Sequence, residues 1–475
     1  MKRLFSLCIY AALCSSVAMA QETPRLVVGI TIDQLRGDYL ESFAALYGED
    51  GLKRLMRDGL VYRNAKYPFR HINKSAASTT VVTGTVPYTH GIVSDEWVNR
   101  KTLQTETCID DKNFSGVNTR MGASAANVLV STIGDELKIA TEGKGFVYSI
   151  GTDRLISVLS AGHAADWAMW IDKENGRWAG TKYYGDRAPY WVNPLEYEER
   201  MLSDRGSNNA RVTRAARFCL TSGACGADHI TDFVALNYSV AETTNAGIDR
   251  IRENYVALDM EIAKLLEVIE RSVGIDKTLI YLTSTGYEDA PTLLQTISYK
   301  LPTQEFSMNR CVALLNMYLV ALHGKGNYIE THLDNQLYLD KKLLEQKHLK
   351  FSDVLHECED FLYQFDGVKE VYTSTRLLQG AWSPGLSMVR NGFNIRHSGD
   401  ILIEIIPGCS LADDSKSGAK VWRPAWVNFP IIYYGYNFEA KQVYDPVSTE
   451  QIAPTIASHA RIRAPNGIDE LNIKQ

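Results

Sequence analysis

The chain has 475 residues, and its 50 lysines and arginines against 56 aspartates and glutamates give a formal net charge of −6. Because 45% of the residues are hydrophobic, the composition excludes an intrinsically disordered protein, which lacks the apolar surface needed to offset the entropy cost of ordering. The acidic balance also excludes a protein that binds nucleic acid through a concentrated basic face.

The first twenty residues have the pattern of a signal peptide. Lys2 and Arg3 form a positive start, a mostly apolar stretch follows, and residues 18–20 read Ala-Met-Ala, a small-x-small cleavage site. We therefore predict a mature chain of residues 21–475 that is exported to the periplasm or the cell envelope. Lipid attachment at Cys14 is the alternative, which the large residue before this cysteine disfavours. No later stretch reaches the roughly 20 consecutive apolar residues of a membrane span.

Six cysteines follow the predicted cleavage site, an even number that suits an oxidising compartment. Cys219 and Cys225 bracket a turn-forming Leu-Thr-Ser-Gly-Ala loop and could close a local disulfide, while the other pairings stay open. None of the spacings is a paired CxxC, so the pattern disfavours a cysteine zinc site. The six are Cys108, Cys219, Cys225, Cys311, Cys358 and Cys409.

Continuous apolar runs separated by helical stretches predict an α/β fold with a mostly parallel sheet. A helix is expected near residues 39–58, and a second one over 254–272, where apolar residues recur at helical spacing. In such folds ligands bind beyond the carboxyl ends of the strands. The four runs that predict buried strands are residues 26–32, 233–237, 278–283 and 429–434.

No linker or repeat divides the chain, so one large domain with two insertions is expected. Residues 95–215 are rich in Trp, Tyr, Gly and Asn, which suits an insertion with its own aromatic packing over the sheet edge. Buried packing is the expected role of these aromatic residues, and recognition of a ligand is the alternative. A second insertion is predicted over residues 291–420, with a strand at 401–406.

Asp33 follows the first apolar run directly and is the first candidate for a functional residue. A carboxylate at the carboxyl end of a parallel strand lies where such folds bind ligands, and its oxygens suit a divalent metal. A helix cap or a solvated loop residue is the alternative interpretation.

Several motifs in chain order resemble those of the alkaline phosphatase superfamily, in particular its exported bacterial phosphate monoesterases and its nucleotide pyrophosphatase/phosphodiesterase branch. The resemblance implies an α/β three-layer sandwich with a mostly parallel central sheet and inserted cap subdomains. The motifs are Val27-Val-Gly-Ile-Thr-Ile-Asp33-Gln-Leu-Arg-Gly-Asp38, Thr83-Gly-x-x-Pro87-x-x-His90-Gly-Ile92, Ala161-Gly-His163-Ala-Ala-Asp166-Trp167, Tyr255-Val-Ala-Leu-Asp259, Leu282-Thr283, Ser398-Gly-Asp400 and Ile452-Ala-Pro-Thr455.

The resemblance implies two zinc ions held by six Asp and His side chains, with a Thr or Ser nucleophile between them. Asp33 matches the first metal ligand. Lys74 occupies the nucleophile position, where it can form no oxygen phosphoester and its ammonium repels zinc. Ser75 is a substitute nucleophile only if the loop is shifted by one residue.

The other metal ligands that the family pattern requires are missing. No Asp lies between Asp232 and Asp249, where an Asp-x-x-x-His pair belongs, and residues 284–287 read Ser-Thr-Gly-Tyr where an Asp-His pair belongs. No His lies between His397 and His459 to supply the last ligand. With five of the six ligands lost, we expect an empty metal site and no cofactor.

The positions that contact phosphate in the family are altered as well. Asp95 replaces an Asn, and its carboxylate repels an anionic substrate. In the Lys-x-Arg motif of the monoesterase branch, Thr152 stands in place of the Lys and only Arg154 is kept. A lone Arg is more often an ion-pair partner than a phosphate clamp.

Four histidines receive structural interpretations because none has a partner at metal-ligand spacing. His90 and His163 lie in family motifs and are expected to be packed and hydrogen-bonded. His71 has no His or Cys partner at metal-ligand spacing, and His397 is expected on the surface of the second insertion. A different role is suggested for Lys74: its ammonium could replace the lost metal charge and neutralise Asp33.

Two functions remain open. The first is a non-catalytic member of the superfamily that binds an unidentified protein or envelope component. The alternative is a divergent phosphate monoester or diester hydrolase that uses Ser75 or a residual metal at Asp33.

Overall fold

The fold is built around one large mixed β-sheet. The computed structural model describes residues 23–240, 247–286, 305–380, 383–406, 409–412, 420–421 and 427–468, so the predicted signal peptide lies outside the described residues. The strands are β1 (Leu26–Asp33), β2 (Leu60–Lys66), β3 (Glu96–Val98), β4 (Thr105–Thr107), β5 (Gly116–Val117), β6 (Val147–Gly151), β7 (Trp167–Ile171), β8 (Trp178–Thr181), β9 (Asp232–Ser239), β10 (Thr278–Ser284), β11 (Glu305–Ser307), β12 (Ile329–Leu333), β13 (Gln336–Leu339), β14 (Val368–Thr373), β15 (Ile401–Ile405), β16 (Ser410–Ala412), β17 (Lys420–Val421), β18 (Phe429–Gly435), β19 (Lys441–Val443) and β20 (Val447–Ser448).

The helices alternate with these strands, as the sequence predicts for an α/β fold. Short 3-10 turns cover Ala44–Leu46, Ile275–Lys277 and Thr449–Gln451. The α-helices are α1 (Gly37–Ser42), α2 (Leu52–Asp58), α3 (Lys74–Thr83), α4 (Pro87–His90), α5 (Ile133–Ala140), α6 (Arg154–Ala161), α7 (Val192–Met201), α8 (Asn208–Thr221), α9 (Ile248–Ser272), α10 (Met308–His323), α11 (Lys341–Gln346), α12 (Phe351–Leu362), α13 (Ser374–Gln379), α14 (Pro384–Asn391) and α15 (Ile452–Ala460).

Eleven of the described strands form the central sheet, in the order β19-β2-β18-β10-β1-β9-β6-β7-β8-β5 with β20 beside β2. The middle strands β10, β1, β9, β6 and β7 pair in parallel. Three of the four predicted strands are therefore parallel neighbours, which confirms the predicted mostly parallel sheet. The fourth, β18, runs antiparallel to β10, with Ile432 opposite Leu282. A continuous apolar run indicates burial on both faces but carries no information on direction.

Helices cover both faces of the sheet, which gives three layers. Along β1, Val28 and Ile30 face α8 and α9 on one side, where Leu258 and Ile262 of α9 are buried against them. Val27 faces the other side, where α3, α5 and α15 pack. Because successive side chains of a strand point to opposite faces, Thr31 and Asp33 lie on the same side of the sheet as Val27 and α3.

The helix expected near residues 39–58 is interrupted, because the chain bends around a buried carboxylate. Asp259 of α9 accepts hydrogen bonds from the backbone N–H groups of Gly48 and Leu52 at 2.8 and 2.7 Å. A side chain at Gly51 would lie 2.4 Å from the Asp259 carbonyl oxygen, so the bend requires glycine there. The helix predicted over 254–272 is present and begins earlier, at Ile248.

The aromatic-rich region 95–215 contributes to the central sheet itself. Its strands β6, β7 and β8 extend the sheet beyond β9, and Trp167, Trp170 and Trp178 are buried in them. The sequence interpretation of this region as an insertion over the sheet edge therefore differs from the structure. Buried tryptophans pack equally well within a sheet and over its edge, so composition does not distinguish the two arrangements.

Residues 305–412 build a separate hydrophobic core within the described chain. A four-stranded sheet, β12-β13-β15-β14, packs with α10 and α12 around Leu315, Val354 and Ile403. The strand predicted at 401–406 is β15. Arg100 of the β3–β4 hairpin ties this unit to the rest of the chain through a bidentate ion pair with Asp400 at 2.9 and 3.1 Å. Across the described residues, no helix has the length and apolar character required to cross a bilayer.

Candidate functional site

The candidate site lies at the carboxyl edge of the parallel strands, where three charged residues from separate elements meet. Asp33 is the last residue of β1, and Asp153 follows β6 and caps the N-terminus of α6. Lys74 is the first residue of α3, which packs on the same face of the sheet. Parallel strands end at one edge, so the fold brings residues together that are far apart in the sequence.

The Lys74 ammonium forms its ion pair with Asp153, at 2.7 Å from Nζ to Oδ2. Burial acts to lower the pKa of Lys74, but the Asp153 carboxylate outweighs burial and holds this pKa above its usual value. In the same way, burial acts to raise the pKa of Asp153, and the Lys74 charge lowers it below the usual value. Both groups are therefore charged at neutral pH. The partner differs from the one suggested by the sequence, which was Asp33.

Asp33 is buried, and its hydrogen-bond partner is a hydroxyl rather than the ammonium. Its Oδ1 accepts a hydrogen bond from Thr285 Oγ at 2.9 Å. Burial raises the pKa of Asp33 to about 6, although the nearby Lys74 charge acts in the opposite direction. Lys74 thus influences Asp33 through space while its direct ion pair is made elsewhere.

The N-terminus of α3 is occupied by the chain's own oxygen atoms. Asn73 caps the helix, with its Oδ1 accepting a hydrogen bond from the Ala76 N–H at 2.9 Å. The Asp95 carboxylate accepts a hydrogen bond from the Ser75 N–H at 3.2 Å. A helix N-terminus with free N–H groups is a natural anion-binding position. In this chain the anion at that position is a side chain of the protein.

Ser75, the substitute nucleophile, has a fully buried side chain. Its Oγ has no nitrogen or oxygen partner among the described residues, and the polar group that it approaches is the buried Cys108 thiol. A serine nucleophile needs a base within hydrogen-bond reach to take its proton, and the structure places neither Asp33 nor Lys74 in that contact. The geometry therefore gives Ser75 no activating group.

Arg154 is directed away from Lys74 and Asp33. Its Nη2 donates hydrogen bonds to Asp110 Oδ1 at 2.9 Å and to the Gly122 carbonyl at 2.6 Å. The Thr152 N–H is engaged as well, since it donates to the carbonyl of Asn237 at 3.2 Å. Arg154 is thus an ion-pair partner in this structure, and it presents no clamp for a phosphate.

The two histidines of the family motifs, buried His90 and half-buried His163, are both held by hydrogen bonds. His90 Nε2 is 3.1 Å from Thr80 Oγ, its Nδ1 accepts from the Ile92 N–H, and burial lowers its pKa to about 3. His163 Nδ1 is 2.8 Å from Asp135 Oδ2 and its Nε2 is 2.9 Å from the Val128 carbonyl.

The other two histidines lie in loops. His397 stacks on Trp97 with ring centroids 3.9 Å apart, and its Nδ1 is 2.8 Å from the Gly91 carbonyl. His71 precedes α3 in an exposed turn with a left-handed backbone, φ 59°. His397 is therefore a packing residue, and His71 is a loop residue.

The side chains present do not fit a pair of zinc ions. Within the described residues, no three His, Cys, Asp or Glu side chains converge closely enough to hold a metal. At the end of β10, where the family has an Asp-His pair, Ser284 Oγ donates to the Leu35 carbonyl and Thr285 Oγ donates to Asp33. Tyr287, also considered at this position, lies outside the described residues.

Three residues at this edge were not identified from the sequence. Asp153 had a usable signal, since an aspartate directly before a helical stretch is a frequent N-cap. Thr285 had none, because its contact with Asp33 depends on the pairing of β1 with β10. Asn237 is buried at the end of β9 with both amide atoms unpartnered among the described residues, and it lies beside Thr31 on the Asp33 face. It falls inside an apolar run that marks only a strand.

Comparison with known proteins extends the similarity over most of the chain. The family model described as type I phosphodiesterase / nucleotide pyrophosphatase matches residues 27–426. Alkaline phosphatase PafA of Elizabethkingia meningoseptica is 25% identical over 512 residues, which cover 94% of this chain and 93% of PafA. Alkaline phosphatase PhoV of Synechococcus elongatus is 23% identical over 508 residues, which cover 94% of this chain and 91% of PhoV.

The same similarity holds for the three-dimensional structure. The crystal structure of wild-type alkaline phosphatase PafA superposes with a TM-score of 0.83 at 24% sequence identity, over 94% of this chain and 98% of that one. At this level of identity the superposition establishes the fold, and the residues at the edge of the sheet must be interpreted from their own contacts.

Proposed function

Because the chain belongs to the type I phosphodiesterase / nucleotide pyrophosphatase family, we propose that it is an exported member that has lost catalysis and serves as a non-catalytic binding component of the cell envelope. The relatives compared above are named as alkaline phosphatases, which supports phosphate ester hydrolysis as the chemistry from which this chain diverged. The proposal is that this chain has a binding function in place of that chemistry.

One observation carries the proposal: the ammonium and the helix N–H donor at the carboxyl edge are engaged by carboxylates of the chain itself. Lys74 at the nucleophile position is paired with Asp153, and the α3 N-terminus is occupied by Asp95. Two-metal catalysis requires cations that stabilise the attacking and leaving oxygens, and a substrate phosphate requires free donors. Here a carboxylate competes for the donors, and an ammonium repels any metal ion placed beside it.

The location in the envelope is supported by the sequence. The positive start, apolar stretch and Ala-Met-Ala site of the first twenty residues are those of an exported protein. Edman or mass-spectrometric analysis of the chain recovered from an envelope fraction should find Gln21 as its first residue. A chain that retains residues 1–20 in the cytoplasm would contradict this part of the proposal.

A divergent hydrolase is the second candidate. It is favoured by two observations: Asp33 is kept with a pKa that burial raises to about 6, which suits proton transfer near neutral pH, and the Ser75 hydroxyl has no nitrogen or oxygen partner among the described residues. This candidate predicts activity that depends on one of these two residues.

The two candidates are separated by an activity assay on the full-length purified chain with and without added zinc. Aryl phosphate monoesters and diesters serve as substrates, PafA as the positive control, and the variants Asp33→Ala and Ser75→Ala as matched controls. We expect the same background rate for the chain and both variants, and no stoichiometric zinc by elemental analysis. Hydrolysis that falls in either variant while its thermal unfolding is unchanged would establish the hydrolase instead.

A further inference from the structure

Two buried thiols face each other at the junction between α8 and β9. Cys219 lies in the last turn of α8 and Cys225 lies in the loop that follows it. The Cys219 Sγ–H donates to the Cys225 sulfur, with the two sulfur atoms 3.5 Å apart. Among the six described cysteines, all buried, this is the one pair whose sulfur atoms are in hydrogen-bond contact.

The loop backbone holds the two cysteines in this arrangement. The N–H groups of Ser222 and Gly223 both bond to the Phe218 carbonyl at 2.9 Å, which turns the chain sharply at the end of α8. Ala224 has a left-handed conformation, φ 59°, and the Gly226 N–H bonds to the Asp232 carboxylate at 2.7 Å. The turn therefore folds back on α8 and is fixed at both ends.

We infer that Cys219 and Cys225 form a disulfide when the chain folds in an oxidising compartment. The oxidant is the disulfide of an external dithiol protein or of a small thiol such as oxidised glutathione. One cysteine thiolate attacks that disulfide. This attack forms a mixed disulfide between the protein and one half of the oxidant, and it releases the other half as the first thiol. The second cysteine thiolate then attacks the mixed disulfide, which forms the Cys219–Cys225 bond and releases the second thiol. The protein loses two protons and two electrons, and the external disulfide gains them.

Burial determines when this exchange takes place. Cys219 and Cys225 are 0% and 1% exposed, so an external disulfide has no access to either sulfur in the folded chain. The hydrogen bond from Cys219 together with burial also raises the pKa of Cys225, which disfavours the reactive thiolate. The bond therefore forms before α8 packs against the sheet, and afterwards it is protected from reductants.

The position of the cysteines permits a direct test by mass spectrometry. Trypsin cleaves after Arg217 and Arg250, and the peptide between them contains Cys219 and Cys225 and no other cysteine. The full chain is folded with oxidised glutathione, denatured in N-ethylmaleimide and digested without reductant. We expect this peptide to carry no adduct, while the peptides with Cys311 and Cys358 are alkylated. Reductant applied to the folded chain should leave this result unchanged, and reductant in denaturant should add two adducts.

The matched variants are Cys225→Ala and Cys311→Ala. Cys225→Ala should expose Cys219 to alkylation, whereas Cys311→Ala should leave the peptide without adducts. Two adducts on this peptide after oxidative folding of the unaltered chain would overturn the inference, as would a linkage of Cys219 to any other cysteine. The outcome is independent of whether the chain hydrolyses phosphate esters.

Discussion

At the scale of single residues, the position of Lys74 is readable from the sequence and its partner is not. The count back from the Thr83-Gly84 motif predicts that Lys74 stands where the family has a hydroxyl, whatever the fold brings near it. The partner, Asp153, lies 79 residues away and meets Lys74 only because β6 ends at the same edge of the sheet as β1. Spacing along the chain carries no information about such a contact, so the sequence pointed to Asp33.

Replacing Lys74 by methionine should destabilise the protein, because Asp153 and Asp33 lose the charge that offsets their burial. Breaking a buried ion pair costs about 3–5 kcal/mol, and the partial exposure of both side chains here, 23% and 13%, lowers our expectation to about 2 kcal/mol. Urea unfolding at pH 7 measures the change. Lys173→Met is the matched control, because Lys173 is 3.6 Å from the same oxygen but 80% exposed. Equal stability of the two variants would contradict this account of Lys74.

His163 should make stability depend on pH. Both of its ring nitrogens face acceptors, Asp135 and the Val128 carbonyl, so the bound form is the protonated ring. The hydrogen bond to Asp135 raises the pKa of His163 above its usual 6.5. The stabilisation is therefore complete below pH 6.5 and is lost as the pH rises through the folded-state value.

Urea midpoints measured across this pH range for the unaltered chain and for His163→Gln provide the check. The glutamine keeps a donor but cannot carry the charge. We expect the unaltered chain to lose stability with rising pH more steeply than the variant. Parallel curves would show that His163 is neutral in the folded protein.

At the scale of elements, the α3 N-terminus binds the Asp95 carboxylate at a position where a helix could otherwise bind a free anion. Continuous apolar runs located the parallel strands well, because burial on both faces constrains every residue of such a strand. The occupation of the helix N-terminus was not predictable in the same way. Asp95 was identified as a substitution that repels phosphate, but its contact with the Ser75 N–H depends on a loop whose path has no sequence signal.

Replacing Asp95 by alanine should free the Ser75 N–H and restore an anion site at this helix end. Inorganic phosphate should then raise the thermal unfolding temperature of Asp95→Ala in a concentration-dependent way, since a ligand that binds only the folded state stabilises it. The unaltered chain should respond much less. Chloride at equal ionic strength separates specific binding from screening. An identical response of the two proteins to phosphate would mean that Asp95 does not occupy the anion position.

At the scale of the whole molecule, the chain has the family architecture, and Lys74 is paired with Asp153 at the carboxyl edge of its sheet. Motifs spread from Val27 to Thr455 were enough to predict this architecture, because they follow the chain order of the family and several mark the end of a strand or the start of a helix. The sequence did not predict that strands β6, β7 and β8 of region 95–215 belong to the central sheet. Its strand β6 pairs with β9, which lies later in the chain, so the pairing is set only when the sheet closes.

Because the described residues contain no donor set that fits a metal ion, we predict that chelators have no effect on stability. Prolonged dialysis against EDTA should change neither the thermal unfolding temperature nor the unfolding midpoint in urea by more than the error of measurement. A protein whose fold is completed by metal loses that binding free energy when the metal is removed. A reproducible decrease that added zinc reverses would demonstrate a structural metal ion bound by residues other than those considered above.

The antiparallel contact between β10 and β18 has a consequence for how this family can diversify. Leu282 and Ile432 are direct neighbours although about 150 residues separate them, so the segment from 285 to 428 leaves and re-enters the sheet at adjoining positions. In topological terms that long segment is the loop of a single hairpin. It can be shortened, lengthened or exchanged for a different module without changing the strand order. A different domain acquired between β10 and β18 during evolution would leave the central sheet intact.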